Sequence, residues 1–261
     1  MENLIFDSHA HYDDEKFDGD RDEVISSLPE KGVCAVVNNG VDIETSLKSI
    51  EFAEKYSYFY AAVGIHPESV ENIDMTKIDA YISQIEKLLS HKKVVAIGET
   101  GIDYHWEIPK KEQHIVFQKQ LELSKATGVP IVIHDREAHG DVVDYLRKYN
   151  PYGLLHCYSG SVEMLKEVLR LGDMRISLGG SVTFKNARVP VEVAKEVPMD
   201  KLLLETDAPY LAPVPMRGKR CDSSLIIHTA ERIAEIRGMD VIDVLKYTKE
   251  NACRFYGINL N

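Results

Sequence analysis

Four histidines and two carboxylates lie where short apolar segments of this 261-residue chain end. Imidazole nitrogens and carboxylate oxygens are the protein ligands of divalent transition metals. An apolar core has no other use for a group of ionisable side chains, because burying charge without a partner is costly. One ion needs about four ligands, so six ligands plus water predict two divalent ions. The predicted metal ligands are His9, His11, Glu99, His134, His156 and Asp207.

The spacing at residues 7–11 favours one shared face. Side chains at positions i, i+2 and i+4 of a strand point the same way, so Asp7, His9 and His11 are expected to face the interior together. His9 and His11 can then hold one ion. Asp7 and Glu205 each precede a ligand by two residues, and we expect each to accept the second N–H of an imidazole ring.

Eight short apolar runs alternate with amphipathic stretches, which predicts a parallel α/β sheet closed into a (β/α)8 TIM barrel. A doubly wound open sheet is the alternative. We expect a single domain over residues 1–261, with one or two closing helices within 222–256. The predicted helices are 74–90, 111–127, 137–149 and 161–171. The predicted strands are 4–11, 33–40, 59–67, 94–103, 130–136, 152–159, 175–182 and 202–210. All six predicted ligands then lie at the carboxyl ends of strands, where this fold places its active site.

Composition excludes some classes of protein. With 31 basic and 42 acidic side chains, the net charge of −11 argues against a surface that coats nucleic acid, although bound metals can still attract phosphates locally. The four cysteines form no CxxC pair, and neither a signal peptide nor an apolar run of about 18 residues occurs. We expect a reduced, cytoplasmic protein with no membrane association and no obligate protein partner.

Six motifs follow one another along the chain. They are DSHAH (7–11), GIHP (64–67), IGETGIDY (97–104), IHDREA (133–138), HCYSG (156–160) and ETDAPYL (205–211). Together they resemble the TatD family of metal-dependent deoxyribonucleases, and the resemblance covers essentially the whole chain. The resemblance implies a nuclease that hydrolyses phosphodiester bonds in DNA, with single-stranded DNA or DNA ends as the expected substrate. It also implies that His9, His11 and Asp207 hold one ion, that His134 and His156 hold the other, and that Glu99 bridges them.

The predicted catalytic residues are Asp207, which is placed to take the proton of the attacking water, and Glu99. One segment departs from the family: residues 216–223 read MRGKRCDS, where the family carries an HRGKRNEP-like run. Rings at Tyr104, His105 and Trp106 either stack on a base or pack in the core. The residues predicted to contact substrate are His66, Arg136, Arg217, Lys219 and Arg220. A stacked structural residue is the alternative for His66, and a solvated loop is the alternative for the basic cluster.

Two other functions are consistent with the same ligands. An amidohydrolase or lactonase would use two ions on a small molecule, and a metal-binding scaffold would perform no catalysis. The absence of a lysine at the end of the fifth strand favours the nuclease over the amidohydrolase. The ligand set is compatible with Zn, Mn, Mg, Fe, Co or Ni, and the four imidazoles make Mg the least natural of these.

Overall fold

The structure, a computed structural model, describes residues 3–260. Its strands are β1 (Ile5–Ala10), β2 (Val33–Asn39), β3 (Phe59–Val63), β4 (Val94–Asp103), β5 (Ile131–Arg136), β6 (Tyr152–Leu155), β7 (Asp173–Leu178) and β8 (Leu202–Leu204). Its α-helices are α1 (Arg21–Ser27), α2 (Ile43–Lys55), α3 (Ile78–Leu88), α4 (Lys110–Thr127), α5 (His139–Tyr149), α6 (Val162–Val168), α7 (Arg188–Glu196), α8 (Ile226–Arg237) and α9 (Val241–Tyr256).

The eight strands form one parallel sheet in the order of the chain, from β1 to β8. A parallel bridge between Ala10 and Ala208 joins the first strand to the segment after the last one. The sheet therefore curves into a nearly closed barrel. This confirms the predicted (β/α)8 fold and excludes the doubly wound sheet, whose strand order is not sequential.

Local sequence explains where many of the elements begin and end. The strands are buried on both faces because helices cover the outside and side chains fill the inside. Helix α2 begins with a capping box between Asp42 and Thr45. Helices α4, α8 and α9 end at Gly128, Gly238 and Gly257, each in the left-handed conformation that glycine adopts without strain.

The two C-terminal helices close the barrel, as the sequence predicted. The Asn251 side-chain amide on α9 donates hydrogen bonds to the carbonyls of Met199 and Leu202 at the start of β8. The Tyr256 hydroxyl donates to the carbonyl of Ser8 in β1. Helix α9 therefore binds both the first and the last strand of the sheet, where the barrel closes.

Four predicted strands were too long. Strand β3 ends at Val63 and β7 ends at Leu178, whereas the sequence predicted strands over 59–67 and 175–182. Strand β6 ends at Leu155 and β8 ends at Leu204, whereas the sequence predicted strands over 152–159 and 202–210. Cys157 and Asp207 have φ angles of 43° and 59°, in the left-handed region, so the chain turns out of the sheet at these points. His156 and Asp207 consequently lie on the loops that leave the strands.

Gly101 allows β4 to approach β5 closely beside the predicted ligands. Gly101 pairs with His134 in the sheet. A Cβ atom at this position would lie 2.0 Å from the carbonyl oxygen of His134, and its φ of 149° is itself rarely adopted by other residues. Glycine is therefore required where the strand that carries Glu99 meets the strand that carries His134.

No helix within residues 3–260 combines the length and apolar character needed to cross a bilayer.

Candidate metal centre

All six predicted ligands converge at the carboxyl end of the barrel. His9, Glu99 and His156 are buried, with 0%, 3% and 6% of their surface exposed. His11, His134 and Asp207 are partly exposed toward the mouth. The shared location follows from the parallel strands, whose carboxyl ends meet on one side of the barrel.

One carboxylate oxygen of Glu99 faces a first group of donor atoms. Glu99 Oε2 lies 3.2 Å from His9 Nε2 and 3.3 Å from His11 Nε2, and the two nitrogens are 3.0 Å apart. Asp207 Oδ1 is 3.8 Å and 3.6 Å from the same two nitrogens. These four residues surround one small volume.

The other oxygen of Glu99 faces a second group. Glu99 Oε1 lies 2.8 Å from His134 Nδ1 and 2.8 Å from His156 Nε2. These two nitrogens are 3.1 Å apart. Glu99 is thus shared by both groups, with a different oxygen in each.

The spacing of these atoms fits divalent cations. Bonds of about 2.0–2.2 Å from a metal to nitrogen and oxygen ligands place neighbouring ligands roughly 3.0–3.5 Å apart. The observed separations of 2.8–3.8 Å bracket that range. All the donors are imidazole nitrogens or carboxylate oxygens, as such ions require.

The carboxylates and imidazoles of the cluster shift one another's pKa values. Burial opposes ionisation of Glu99, but the positive charge of the histidines around it holds its pKa well below the ordinary value. Burial would also lower the pKa of His156, yet the negative charges of Glu99 and Glu205 and a hydrogen bond from the imidazole to Glu99 raise it well above the usual value. The cluster is therefore built around positive charge, which divalent cations would supply.

Outer contacts orient two of the imidazole rings. His11 Nδ1 lies 2.9 Å from the carbonyl oxygen of Asn39, which can only accept a hydrogen bond. His134 Nε2 lies 2.9 Å from Asp103 Oδ2. In each case the proton is held on the outer nitrogen, and the lone pair of the other nitrogen points into the cluster.

Sequence reasoning missed Asp103. Asp103 is fully buried, and burial alone would lower the pKa of His134, but the hydrogen bonds to Asp103 and Glu99 raise that pKa to about 8. A signal was available, because Asp103 follows Glu99 by four residues on β4, at the spacing that shares a face in a regular strand.

The predicted roles of Asp7 and Glu205 have different outcomes. Glu205 Oε1 lies 3.7 Å from His156 Nδ1, and both atoms are buried without a hydrogen-bond partner. Glu205 is therefore next to an imidazole, as predicted, but beyond direct hydrogen-bond distance.

The prediction for Asp7 is wrong. Its carboxylate accepts hydrogen bonds from the backbone and hydroxyl of Thr206, the hydroxyl of Ser223 and the backbone of His9, and no imidazole bond to it occurs within residues 3–260. Asp7 lies deeper in the barrel and ties β1 to the segment that carries Asp207. Burial raises its pKa to about 7.

We expect Asp103→Asn to weaken metal binding about 10- to 100-fold, as the loss of outer contacts to ligating histidines generally does. The amide is nearly the same size, but it replaces an anionic acceptor with a weaker neutral one. Isothermal titration of metal-stripped protein would measure the change. Lys119→Gln, which removes an exposed pairing with Asp79, serves as the control. Unchanged affinity in Asp103→Asn would show that Asp103 does not position His134.

His66 contacts the cluster as a hydrogen-bond donor. Its Nδ1 accepts the backbone N–H of Glu68 at 3.1 Å, and its Nε2 lies 3.3 Å from Glu99 Oε1. Burial lowers the pKa of His66, so the neutral ring carries its proton on Nε2. His66 with Glu99 and His134 also forms a group of potential metal ligands. Its protonated Nε2 makes it a donor toward the site.

The four predicted basic residues all lie on the exposed rim. Arg217 places its guanidinium 3.8 Å from the centre of the Phe184 ring, and Lys219 is exposed. The Arg220 guanidinium bonds Asp20 at 2.6 and 2.7 Å and also the carbonyl of Lys16. Because the charge of Arg220 is already paired, we assign Arg220 a structural role in holding its loop in place.

Arg136 lies on another part of the rim, 5.7 Å from the centre of the Trp106 ring. The sequence left base stacking and core packing open for the aromatic residues of 104–106, and the structure places these residues in different environments. Trp106 is half-exposed, whereas Tyr104 is partly buried and its hydroxyl lies 2.8 Å from His114 Nε2.

Comparison with known proteins gives one consistent result. A family model described as TatD related DNase matches residues 6–257. The uncharacterized metal-dependent hydrolase YabD of Bacillus subtilis (strain 168) is 44% identical over 260 residues, covering 98% of this chain and 100% of that protein. The 3'-5' ssDNA/RNA exonuclease TatD of Musicola paradisiaca (strain Ech703) is 32% identical over 262 residues, covering 97% of each. A crystal structure of YjjV, a TatD homologue from Escherichia coli K12, superposes with a TM-score of 0.91 at 26% identity, covering 99% of this chain and 100% of that one.

Proposed function

This chain belongs to the family of TatD-related DNases and is a metal-dependent hydrolase, and from that premise we propose that it hydrolyses phosphodiester bonds of single-stranded DNA. The observation that carries the proposal is the pair of donor groups joined by Glu99, because two adjacent cation sites suit displacement at phosphorus. A relative of 32% identity is named as an exonuclease of single-stranded DNA and RNA, which supports single strands as the substrate class.

Two divalent ions per chain are proposed. His9, His11 and Asp207 would hold one, His134 and His156 would hold the other, and Glu99 would be shared. When bound, such ions supply an activated water and neutralise charge on the phosphoryl oxygens. The four imidazoles favour Zn, Mn, Fe, Co or Ni, and Mg is the least natural of the compatible ions.

The chain's own residues supply proton transfer and positioning. Asp207 is partly exposed at the mouth; burial would raise its pKa, but the hydrogen bond and charge of His11 lower it, so the carboxylate is in the ionised form that a general base requires. His66 presents an N–H to the cluster and would donate to a phosphate oxygen of the substrate. Arg136, Arg217 and Lys219 would contact backbone phosphates from the rim.

We also propose that the protein works in the cytoplasm without an obligate protein partner. All four cysteines are free in the structure, as is usual in a reducing compartment.

The test is cleavage of a single-stranded oligonucleotide by metal-stripped protein refilled with Mg, Mn or Zn. Labels at either end would identify the end from which the strand is shortened. We expect metal-dependent shortening that is lost in Asp207→Asn, a variant of nearly equal size. Absence of cleavage with every metal, in protein that binds two ions per chain, would contradict the nuclease and favour a small-molecule ester or amide.

A further inference from the structure

Aromatic rings paired with cations lie on both sides of the barrel mouth. On one side Trp106 is 51% exposed, and the guanidinium of Arg136 lies 5.7 Å from the centre of its ring. On the other side Tyr210 is 43% exposed, and Lys16 Nζ lies 3.8 Å from its ring centre. We name these pairs the β4–β5 platform and the β8–β1 platform, after the strands that precede them.

The two platforms lie on opposite sides of the barrel mouth. The strands follow one another around the barrel in chain order, and the bridge between Ala10 and Ala208 brings β8 next to β1. The boundary between β4 and β5 is therefore four strands away from the boundary between β8 and β1 in either direction around the ring. The candidate metal ligands occupy the space between them.

The β4–β5 platform is anchored to a candidate ligand. The backbone N–H of His105 donates to Asp103 Oδ1 at 2.8 Å, and the other oxygen of Asp103 lies 2.9 Å from His134. The backbone N–H of Tyr104 donates to the carbonyl of Arg136 at 2.9 Å. The buried carboxylate of Asp103 thus connects the loop that carries Trp106 to His134.

The β8–β1 platform is anchored in a similar way. The backbone N–H of Tyr210 donates to the carbonyl of Asp207 at 2.8 Å, and its hydroxyl donates to Asp14 at 2.6 Å. Phe184 with Arg217 extends this side of the mouth. Hydrogen bonds therefore anchor each platform at a point only a few positions along the chain from a candidate metal ligand.

Charge and ring exposure together indicate a nucleic acid strand. The chain carries a net charge of −11, yet each half-exposed ring at the mouth has a cation beside it. Aromatic rings stack on bases of any sequence while basic side chains meet the phosphates, which is how proteins hold single strands. Paired bases in a duplex already stack on one another and cannot offer their faces to two separate rings.

We propose that a single DNA strand crosses the mouth from one platform to the other. One base stacks on Trp106, another stacks on Tyr210, and a phosphate of the stretch of strand between them lies at the metal centre. The proposal rests on the proposed nuclease function, and it adds the path of the substrate and the residues that select single strands.

The test compares variants that remove a ring with variants that keep one. Trp106→Leu and Tyr210→Leu each lose the stacking surface, whereas Trp106→Phe and Tyr210→Phe retain it. For a single strand of about ten nucleotides, we expect each leucine variant to raise KM about tenfold, and the double variant about a hundredfold. Trp106→Phe should stay close to the wild-type KM, and Tyr210→Phe, which keeps the ring but loses the hydroxyl bond to Asp14, should raise KM less than Tyr210→Leu does. Tyr247→Leu, at a 49% exposed position on α9, controls for the loss of a surface ring.

Three results would overturn the proposal. The first is an unchanged KM in both leucine variants. The second is an equal loss in hydrolysis of bis(4-nitrophenyl) phosphate, which has no bases and would report damage to the metal centre. The third is an equal effect on a blunt duplex of the same sequence.

Binding separates this proposal from the nuclease itself. In the Asp207→Asn background, a fluorescein-labelled single strand should bind about tenfold more weakly when either ring is replaced by leucine. Wild-type protein that binds the strand through both rings but never cleaves it would contradict the nuclease and leave the strand path supported.

Discussion

Replacement of Glu99 by glutamine is expected to reduce phosphodiesterase activity by more than about 100-fold, because loss of even an outer contact to a metal ligand costs about 10- to 100-fold. Both oxygens of Glu99 belong to donor groups, at 2.8 Å from two imidazole nitrogens and at 3.2–3.3 Å from two others. Glutamine keeps the size of the side chain but removes its charge. Only one of its two terminal atoms can still act as a metal ligand.

Metal titration would show whether activity is lost for this reason. Glu99→Gln should bind fewer ions per chain or bind them more weakly, measured by isothermal titration and by metal analysis after dialysis. Glu86→Gln, on helix α3, is a matched control for the loss of one carboxylate. Full activity with unchanged metal content in Glu99→Gln would contradict the shared role of Glu99.

Removal of metal is expected to abolish activity and to lower thermal stability. The site gathers four imidazoles and two carboxylates whose arrangement cations would stabilise. A ligand present at 100 times its dissociation constant stabilises the folded state by about 2.7 kcal/mol, and each kcal/mol raises the melting temperature of a chain of this size by roughly 2–4 °C. Each bound ion should therefore raise the melting temperature of the stripped protein by roughly 5–11 °C, as measured by calorimetry.

The melting temperature should reach a plateau at the number of metal ions that the site can hold. Stripped protein titrated with Zn or Mn should reach its highest melting temperature when two ions are bound per chain. The Glu99→Gln variant should show a smaller increase. A melting temperature that does not respond to any divalent metal in the wild type would argue against a metal centre at these residues.

The basic residues around the mouth differ in whether their charges are paired, which their positions in the chain do not show. Arg217, Lys219 and Arg220 are close in the chain and were predicted to act together on phosphates. The structure pairs Arg220 with Asp20, which is 200 residues away in the chain. Nothing in the local sequence indicates that pairing, because it depends on how the loops after β1 and β8 meet.

Local periodicity determined a large part of this protein. Alternation of short apolar runs with amphipathic helices specified the barrel, because parallel strands buried on both faces need helices between them. The same reasoning placed six candidate ligands at the carboxyl ends of the strands, since each of those residues directly follows an apolar run. The family resemblance came from motifs that can be read in order along the chain.

Only the tertiary structure decided how those residues are arranged in space. The division of the Glu99 oxygens between two groups, the bond from Asp103 to His134 and the attachment of Asp7 to Thr206 and Ser223 join residues 31 to 216 positions apart. Their geometry depends on closure of the barrel and on turns at Cys157 and Asp207, where the chain leaves the sheet. Strand periodicity relates near neighbours within one element, and it carries no information about which atoms of distant elements meet.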